Sequence, residues 1–448
     1  MPKIVIINNC AEQMIGGDMS EAYQLFAALA SWRNAWHARA GDVLVVAMPI
    51  KDDFLAYLGR TMGFDPATVT VITTHGEAGG STLDDTRLLG DDMVGRLKAA
   101  IGDGQGWRID PCYHTDGIAE LALRLGLPDS TGRRFAAQGG ADMLNRKSQF
   151  RRFAVGAHLP LAEGSVVESQ AALARALRTH LADWPTVIVK KDNGAGGAGN
   201  VTVTRNAVTP LPGTRETLSA NQDLGELAAR LWGELIDGWN HSLVVERYHT
   251  ARHKFYFEYH IEDDGNIRFL NSGSILSKAG ADPAAKELVW VGLQVPCDLP
   301  PYATAEAASH AMRMALLAAD FGYRGPINID AILTEEGRIV FNEVNGRWGG
   351  GSNVHGVAQR LLGERFADTH VVSTRRGVKT PALTVLLKML GDRGLAFDPA
   401  TREGVVVLAP DEFLTHTSEL MLLARDTARI AELDAALEAT LADRCAYE

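Results

Sequence analysis

The chain has 448 residues, 46% hydrophobic and 22% charged, with a formal net charge of −11. That length predicts about three domains, and the composition excludes a disordered or low-complexity chain. The acidic balance argues against a nucleic-acid-binding face, which shows as a basic excess, and no run approaches the ~18 apolar residues of a membrane span.

Strand-like runs come first: "KIVIIN" from Lys3, "DVLVVAM" from Asp42, "TVTVIT" from Thr68 and "WRIDPC" from Trp107. They alternate with helical patterns, "SEAYQLFAALASWRNAWHARA" with Ser20 as N-cap and "TDGIAELALRLGL". Alternation of this kind predicts an α/β fold beginning with a parallel sheet, here residues 1–140. The N-terminus "MPKIVIINNC" enters its strand directly, and Cys10, Cys112, Cys297 and Cys445 form no C-x-x-C pair, so a cytoplasmic protein with reduced thiols is expected.

A helix carrying Lys147 follows, and residues 141–245 predict a small α+β unit. Within it "TVIVKKDNGAGGAGNVTVT" places Gly194, Gly196, Gly197 and Gly199 between two strand-like runs. A dinucleotide fingerprint needs a helix after its glycines and a P-loop needs Gly-Lys-Ser/Thr; this stretch has neither. A strand, glycine-rich turn and strand can lay backbone N–H groups over phosphates, and Lys190 and Lys191 stand at its mouth. A flexible surface hairpin is the bland alternative.

Residues 246–376 continue in strands. "INIDAIL" and "RIVFNEV", joined by "TEEG", predict a hairpin with Asp330 opposite Glu343 and with Glu343 and Asn345 on one face. Two carboxylates and an amide oxygen make a hard site suited to Mg²⁺. Without a cation, one carboxylate is expected to take up a proton. Arg347 offers a planar, permanent charge for a developing oxyanion. Residues 377–448 predict a last α/β piece.

Lys147, Lys190 before a glycine-rich hairpin, "VVERY", then Asp330, Glu343, Asn345 and Arg347 in that order resemble the ATP-grasp superfamily. The resemblance covers residues 141–375. The acids lie thirteen residues apart as in D-alanine-D-alanine ligases, and Glu-x-Asn-x-Arg is similar to the element in biotin carboxylase and carbamoyl phosphate synthetase. The resemblance implies a lid subdomain at 141–245, a central subdomain at 246–376, and ATP with Mg²⁺ or Mn²⁺ as cofactors. It implies that Lys147 and Lys190 bind the α and β phosphates, that the loop Gly194 to Gly199 closes over β and γ, and that the Glu246, Arg247 and Tyr248 backbone reads adenine. Asp330, Glu343 and Asn345 would hold the metal, and Arg347 would stabilise the oxyanion.

There are departures. His253 stands where D-alanine ligases place a ribose-binding glutamate, and Asn328 stands where they have an arginine. Lys191 replaces a common proline. The long N-terminal domain and "NEVNGRWGGGSNVHG" look like the peptide ligases related to the pheganomycin peptide ligase. That likeness implies a small carboxylic acid joined to an amine or peptide through an acylphosphate, in natural-product biosynthesis, and it is compatible with a homo-oligomer. The alternatives are a carboxylase or carbamoyl-type enzyme acting on bicarbonate and a nucleotide-binding module without turnover. His260, Lys278, Lys286 and His355 are further candidates for substrate contact.

Overall fold

The computed structural model describes residues 1–9, 11, 14, 20–74, 82–194, 199–279 and 288–443. β1 (Lys3–Ile6), β2 (Val43–Val46), β3 (Thr70–Thr73) and β4 (Arg108–Pro111) form a parallel sheet in the order β3-β2-β1-β4. All four β2 residues are buried, as a parallel strand covered on both faces requires. Ser20 caps the helix Glu21–Ala30 by accepting the Tyr23 N–H. The long helix expected there ends at Ala30 and tightens into a 3₁₀ turn, Ser31–His37. That turn seats Trp32 and Trp36 in the core, where the Trp36 indole N–H reaches the Leu408 carbonyl at 2.7 Å.

β5 (Gly164–Val167), β6 (Thr186–Lys191), β7 (Asn200–Thr204), β8 (Glu216–Ser219) and β9 (Leu243–Arg247) build a second sheet, ordered β5-β9-β6-β7-β8. The helices Gln170–Asp183 and Leu224–Leu235 supply its core with Leu173, Leu177, Leu227 and Leu231. β6 and β7 pair antiparallel with Lys190 opposite Asn200, which makes the glycine-rich stretch a hairpin.

The third sheet comprises β10 (Ala251–Ile261), β11 (Ile267–Ala279), β12 (Leu288–Val295), β13 (Gly325–Thr334), β14 (Ile339–Asn345), β15 (Val371–Lys379), β16 (Gly404–Asp411) and β17 (Thr417–Ala424). Its order is β14-β13-β10-β11-β12-β15-β17-β16, so the strands that follow residue 377 extend the central sheet. The helix Pro301–Phe321 covers one face through Ala303, Ala307, Ala311, Met314 and Ala318. On the other face the helix Gly350–Leu362 shares a core with Trp36, Phe54, Leu408 and Leu422, which joins the N-terminal sheet to the C-terminal strands. No helix among the described residues is long and apolar enough to cross a membrane.

Candidate active site

The β13–β14 hairpin pairs Asp330 with Glu343 and Asn328 with Asn345, and a bulge follows Asp330. Such a bulge re-aims side chains at a sheet edge. Burial, and then the Glu343 carboxylate beside it, push the Asp330 carboxyl well above its ordinary range, against the pull of Arg347. Glu343 goes the other way. Burial alone would raise it, yet the Lys147 ammonium at 2.8 Å, with Arg347 and Lys190 behind, holds it at about 2. The proton of the pair therefore resides on Asp330. Asn345 Nδ2 donates to Asp330 Oδ2 at 3.2 Å and to Asn328 Oδ1 at 3.3 Å. Among the described residues no three acidic, histidine or cysteine side chains converge. The acid pair with its neighbouring amide, forced to retain a proton, suits a divalent cation, which takes the proton's place on hard oxygens.

Lys147 is placed by a contact far away in sequence. Asp192, just beyond β6, accepts the Ser148 N–H at 2.8 Å through its carboxylate and the Lys147 N–H at 3.1 Å through its carbonyl, capping the helix Lys147–Gly156. The cap fixes Lys147 next to the hairpin, where its ammonium also donates to the Gly194 carbonyl at 3.1 Å. Lys190 is 2.5 Å from Glu246 Oε2, while Arg151, one helical turn beyond Lys147, is 2.7 Å from Glu246 Oε1. Arg151 also donates to the Ala162 carbonyl at 2.9 Å. Lys191 has a structural explanation: it pairs with Asp237 at 2.6 Å. A Cβ on Gly199 would meet the Lys191 Cβ at 2.6 Å, so the hairpin needs glycine there. Gly196 and Gly197 lie outside the described residues.

These groups line a cavity of about 320 Å³ between the second and third sheets. Lys147, Lys190, Gly194, Gly199, Glu246, Arg247, Tyr248, Asp330 and Glu343 all border it. The Arg247 and Tyr248 N–H groups are bonded to the Glu163 and Thr186 carbonyls, at 2.8 and 3.1 Å. His253, expected at the nucleotide, does not border it. On β10 it pairs with Leu333, a core residue under the helix Pro301–Phe321, and strand alternation turns it to that face. Its neighbour Lys254 lines the cavity instead, with its ammonium pKa lowered by burial.

Arg347 leaves β14 toward the N-terminal sheet. It forms a β-bridge with Tyr113, its guanidinium donates to the Asn145 side chain, and the Trp348 N–H reaches the Cys112 carbonyl at 3.0 Å. Glu258 on β10 escapes sequence reasoning altogether. It is fully buried beneath the first turn of the helix Gly350–Leu362, where a Cβ on Gly351 would come within 2.4 Å of its carboxylate. Ser352 Oγ and Asn328 Nδ2 donate to it, and burial still raises its carboxyl to about 7. His260 sits 3.3 Å from Glu262 and His355 packs on the Phe366 ring; neither lines the cavity. Lys278 borders a different cavity, and Lys286 lies outside the described residues.

Residues 31–127 match the family model for the pre-ATP-grasp domain and residues 385–437 that for the PGM1 C-terminal domain. No curated protein matches the sequence. Among solved structures, an ADP complex of N5-carboxyaminoimidazole ribonucleotide synthetase is 13% identical with a TM-score of 0.56, covering 98% of this chain and 96% of its own. The ADP complex of N5-carboxyaminoimidazole synthetase from Staphylococcus aureus is 11% identical with a TM-score of 0.54, covering 98% and 97%. The biotin carboxylase domain of the Hydrogenobacter thermophilus 2-oxoglutarate carboxylase, with MgADP and bicarbonate, is 14% identical with a TM-score of 0.57, covering 97% and 89%. The chain thus has the ATP-grasp fold over nearly its whole length.

Proposed function

We propose that the protein is an ATP-dependent carboxylate–amine ligase that makes an amide bond through an acylphosphate, joining an amino-acid-like acid to the amino end of a peptide in natural-product biosynthesis. The observation that carries the reading is the Lys147–Glu343 contact: a lysine from the lid side and a carboxylate from the central sheet meet at the glycine hairpin. The ADP and MgADP bound in the structural neighbours fit the same use of the cavity.

Lys147 and Lys190 would hold the phosphates, with the hairpin closing over them. Asp330, Glu343 and Asn345 would hold Mg²⁺, which neutralises phosphate charge when bound. The N–H groups of Arg247 and Tyr248 are already bonded, so adenine would be read by the carbonyls of that segment. Arg347 would bring its charge to the acyl oxygen as the γ-phosphoryl group moves onto the carboxylate and ADP leaves. The amine then attacks the acyl carbon and phosphate departs. An α-amine, with a pKa near ~7.7–8.0, is partly neutral at pH 7, so a dedicated base is unnecessary.

The test is hydroxamate formation from ATP, Mg²⁺, hydroxylamine and a panel of amino-acid-like carboxylates, with Glu343→Ala as blank. Hydroxamate together with ADP establishes the half-reaction. ADP release only on adding bicarbonate would replace it with the carboxylase reading, which the bicarbonate complex among the neighbours keeps in view.

A further inference from the structure

A second cavity, of about 310 Å³, lies on the far side of Trp290, whose indole borders both cavities. Its walls come from three parts of the fold: the helix Glu21–Ala30, the β11–β12 pair, and the strands β15 to β17. One wall is apolar, with Phe26 and Val289 still 40% and 39% exposed at its rim.

The lining also carries charge, from Arg376 and Glu419 among others, with Arg33 packed behind it. Glu419 Oε2 receives Arg33 Nη1 at 3.2 Å and Arg376 Nε at 3.3 Å, so one carboxylate oxygen serves two guanidinium groups. Both guanidiniums stand over the Trp290 ring, 5.9 and 4.1 Å from its centroid. The indole is held in place by its own N–H, which donates to the Gly292 carbonyl at 2.8 Å. Arg33 is 16% exposed and Glu419 13%, and the buried Arg33 Nε has no hydrogen-bond partner among the described residues. Lys278 adds a further positive charge to the lining. Asp411, the other acid there, is taken up by the Thr415 hydroxyl and by the N–H groups of its own turn. Among the described residues Lys278 and Arg376 of the lining stand against Asp411 and Glu419, and Arg33 behind them leaves the cluster with one positive charge in excess.

We propose that this cavity binds the non-reacting carboxylate of the amine substrate, making that substrate an amino acid or short peptide with a free C-terminus. The inference rests on the ligase reading above. In such a reaction the donor's carboxylate is the group phosphorylated, so it belongs beside Asp330 and Glu343. A carboxylate held separately, past Trp290, belongs to the molecule that brings the amine. Planar guanidinium forks match carboxylate geometry, and the apolar wall takes the side chain. The amine end then crosses the Trp290 indole toward the first cavity.

The experiment is calorimetric titration of the full-length protein with alanyl-alanine and leucyl-leucine, each as free acid and as C-terminal amide. At least one free acid should bind, at least tenfold tighter than its amide, and Arg376→Gln should abolish that preference. Glu419→Gln removes the internal competitor and should tighten the free acid, an outcome that a folding defect cannot imitate. Equal binding of acid and amide, no binding of either acid, or a weakened acid in Glu419→Gln would overturn the proposal. Titration of a non-hydrolysable ATP analogue separates the two readings. If the analogue fails to bind, the ligase reading falls; if it binds while peptides show no preference, only the acceptor site falls.

Discussion

Replacing Glu258 with glutamine should change how stability depends on pH in a way that measures its burial. The carboxyl titrates near 4.5 in the unfolded chain and at about 7 in the folded protein, raised by desolvation against the Ser352 and Asn328 hydrogen bonds. At ~1.36 kcal/mol per pH unit, this gap corresponds to about 3 kcal/mol. A raised folded-state pKa means that the fold favours the protonated acid. Its stabilising contribution is complete below the unfolded pKa and is lost as pH rises through about 7. Glutamine cannot titrate, so Glu258→Gln gains on the parent across that window and the difference levels off above it. The new amide faces the Asn328 amide, a contact that costs ~1 kcal/mol at every pH and leaves the slope untouched. An unfolding entropy of ~2.1 cal/mol/K per residue gives ~1 °C per kcal/mol for a chain of 448 residues, hence a relative shift of ~3 °C. Calorimetric melting from pH 4.5 to 8.5 in EDTA reads it. Parallel Tm curves for parent and variant would refute the reasoning.

Asp330→Asn should stabilise the metal-free protein at pH 8. Asp330 titrates above its unfolded value when folded, so the parent loses stability as pH rises past ~3.9 and the variant does not. Saturating MgATP should invert the order, because the parent alone gains ~2.7 kcal/mol at a hundredfold excess over Kd; equal stabilisation of both in a thermal-shift assay would count against the metal assignment. Arg151→Met strips one of two cations from the buried Glu246 and should cost about 3 kcal/mol in urea unfolding, whereas a loss below ~1 kcal/mol would show that Lys190 alone suffices. Arg347→Ala should slow amide formation by ~10²-fold or more; a variant as fast as the parent ends that role for Arg347.

Where local pattern dictates structure, the sequence was readable. β-branched runs became the parallel sheet, and Asp330 faces Glu343 on the expected hairpin, although the bulge after Asp330 shifts the register by one residue and has no mark in the alternation. The misses arise where distant segments decide. A helix pattern continued past Ala30, but the helix stops because Trp32 and Trp36 pack against strands that come almost four hundred residues later. His253 stands seven residues beyond Glu246, and that spacing carries no information about which face of β10 a residue takes. Asp192 and Arg151 escaped because a cap from another strand and a shared carboxylate leave no local mark. Only the four-residue spacing of Lys147 and Arg151 along one helix face offered a hint. Glu258 sits mid-strand among aromatic residues, where sequence alone cannot distinguish a carboxylate buried under a helix from one in solvent.

The resting ion pairs bear on how ligands would enter. Lys147 is joined to Glu343 and Lys190 to Glu246. A phosphate that recruits these lysines exchanges one ion pair for another, so its net gain is the difference between them. The two exchanges are unequal. Glu246 keeps Arg151 at 2.7 Å when Lys190 turns away, and its charge remains answered. Among the described residues Glu343 has no second cation so close. Lys147 is the foremost of the cations that hold its carboxyl down against burial, so when Lys147 departs a divalent cation is the natural replacement. Nucleotide and metal would therefore bind as a unit, each removing what makes the other's arrival unfavourable, and that coupling acts equally in both directions. The same logic explains why a protonated Asp330 suits the resting state: the proton occupies the place between the acids that the cation takes over.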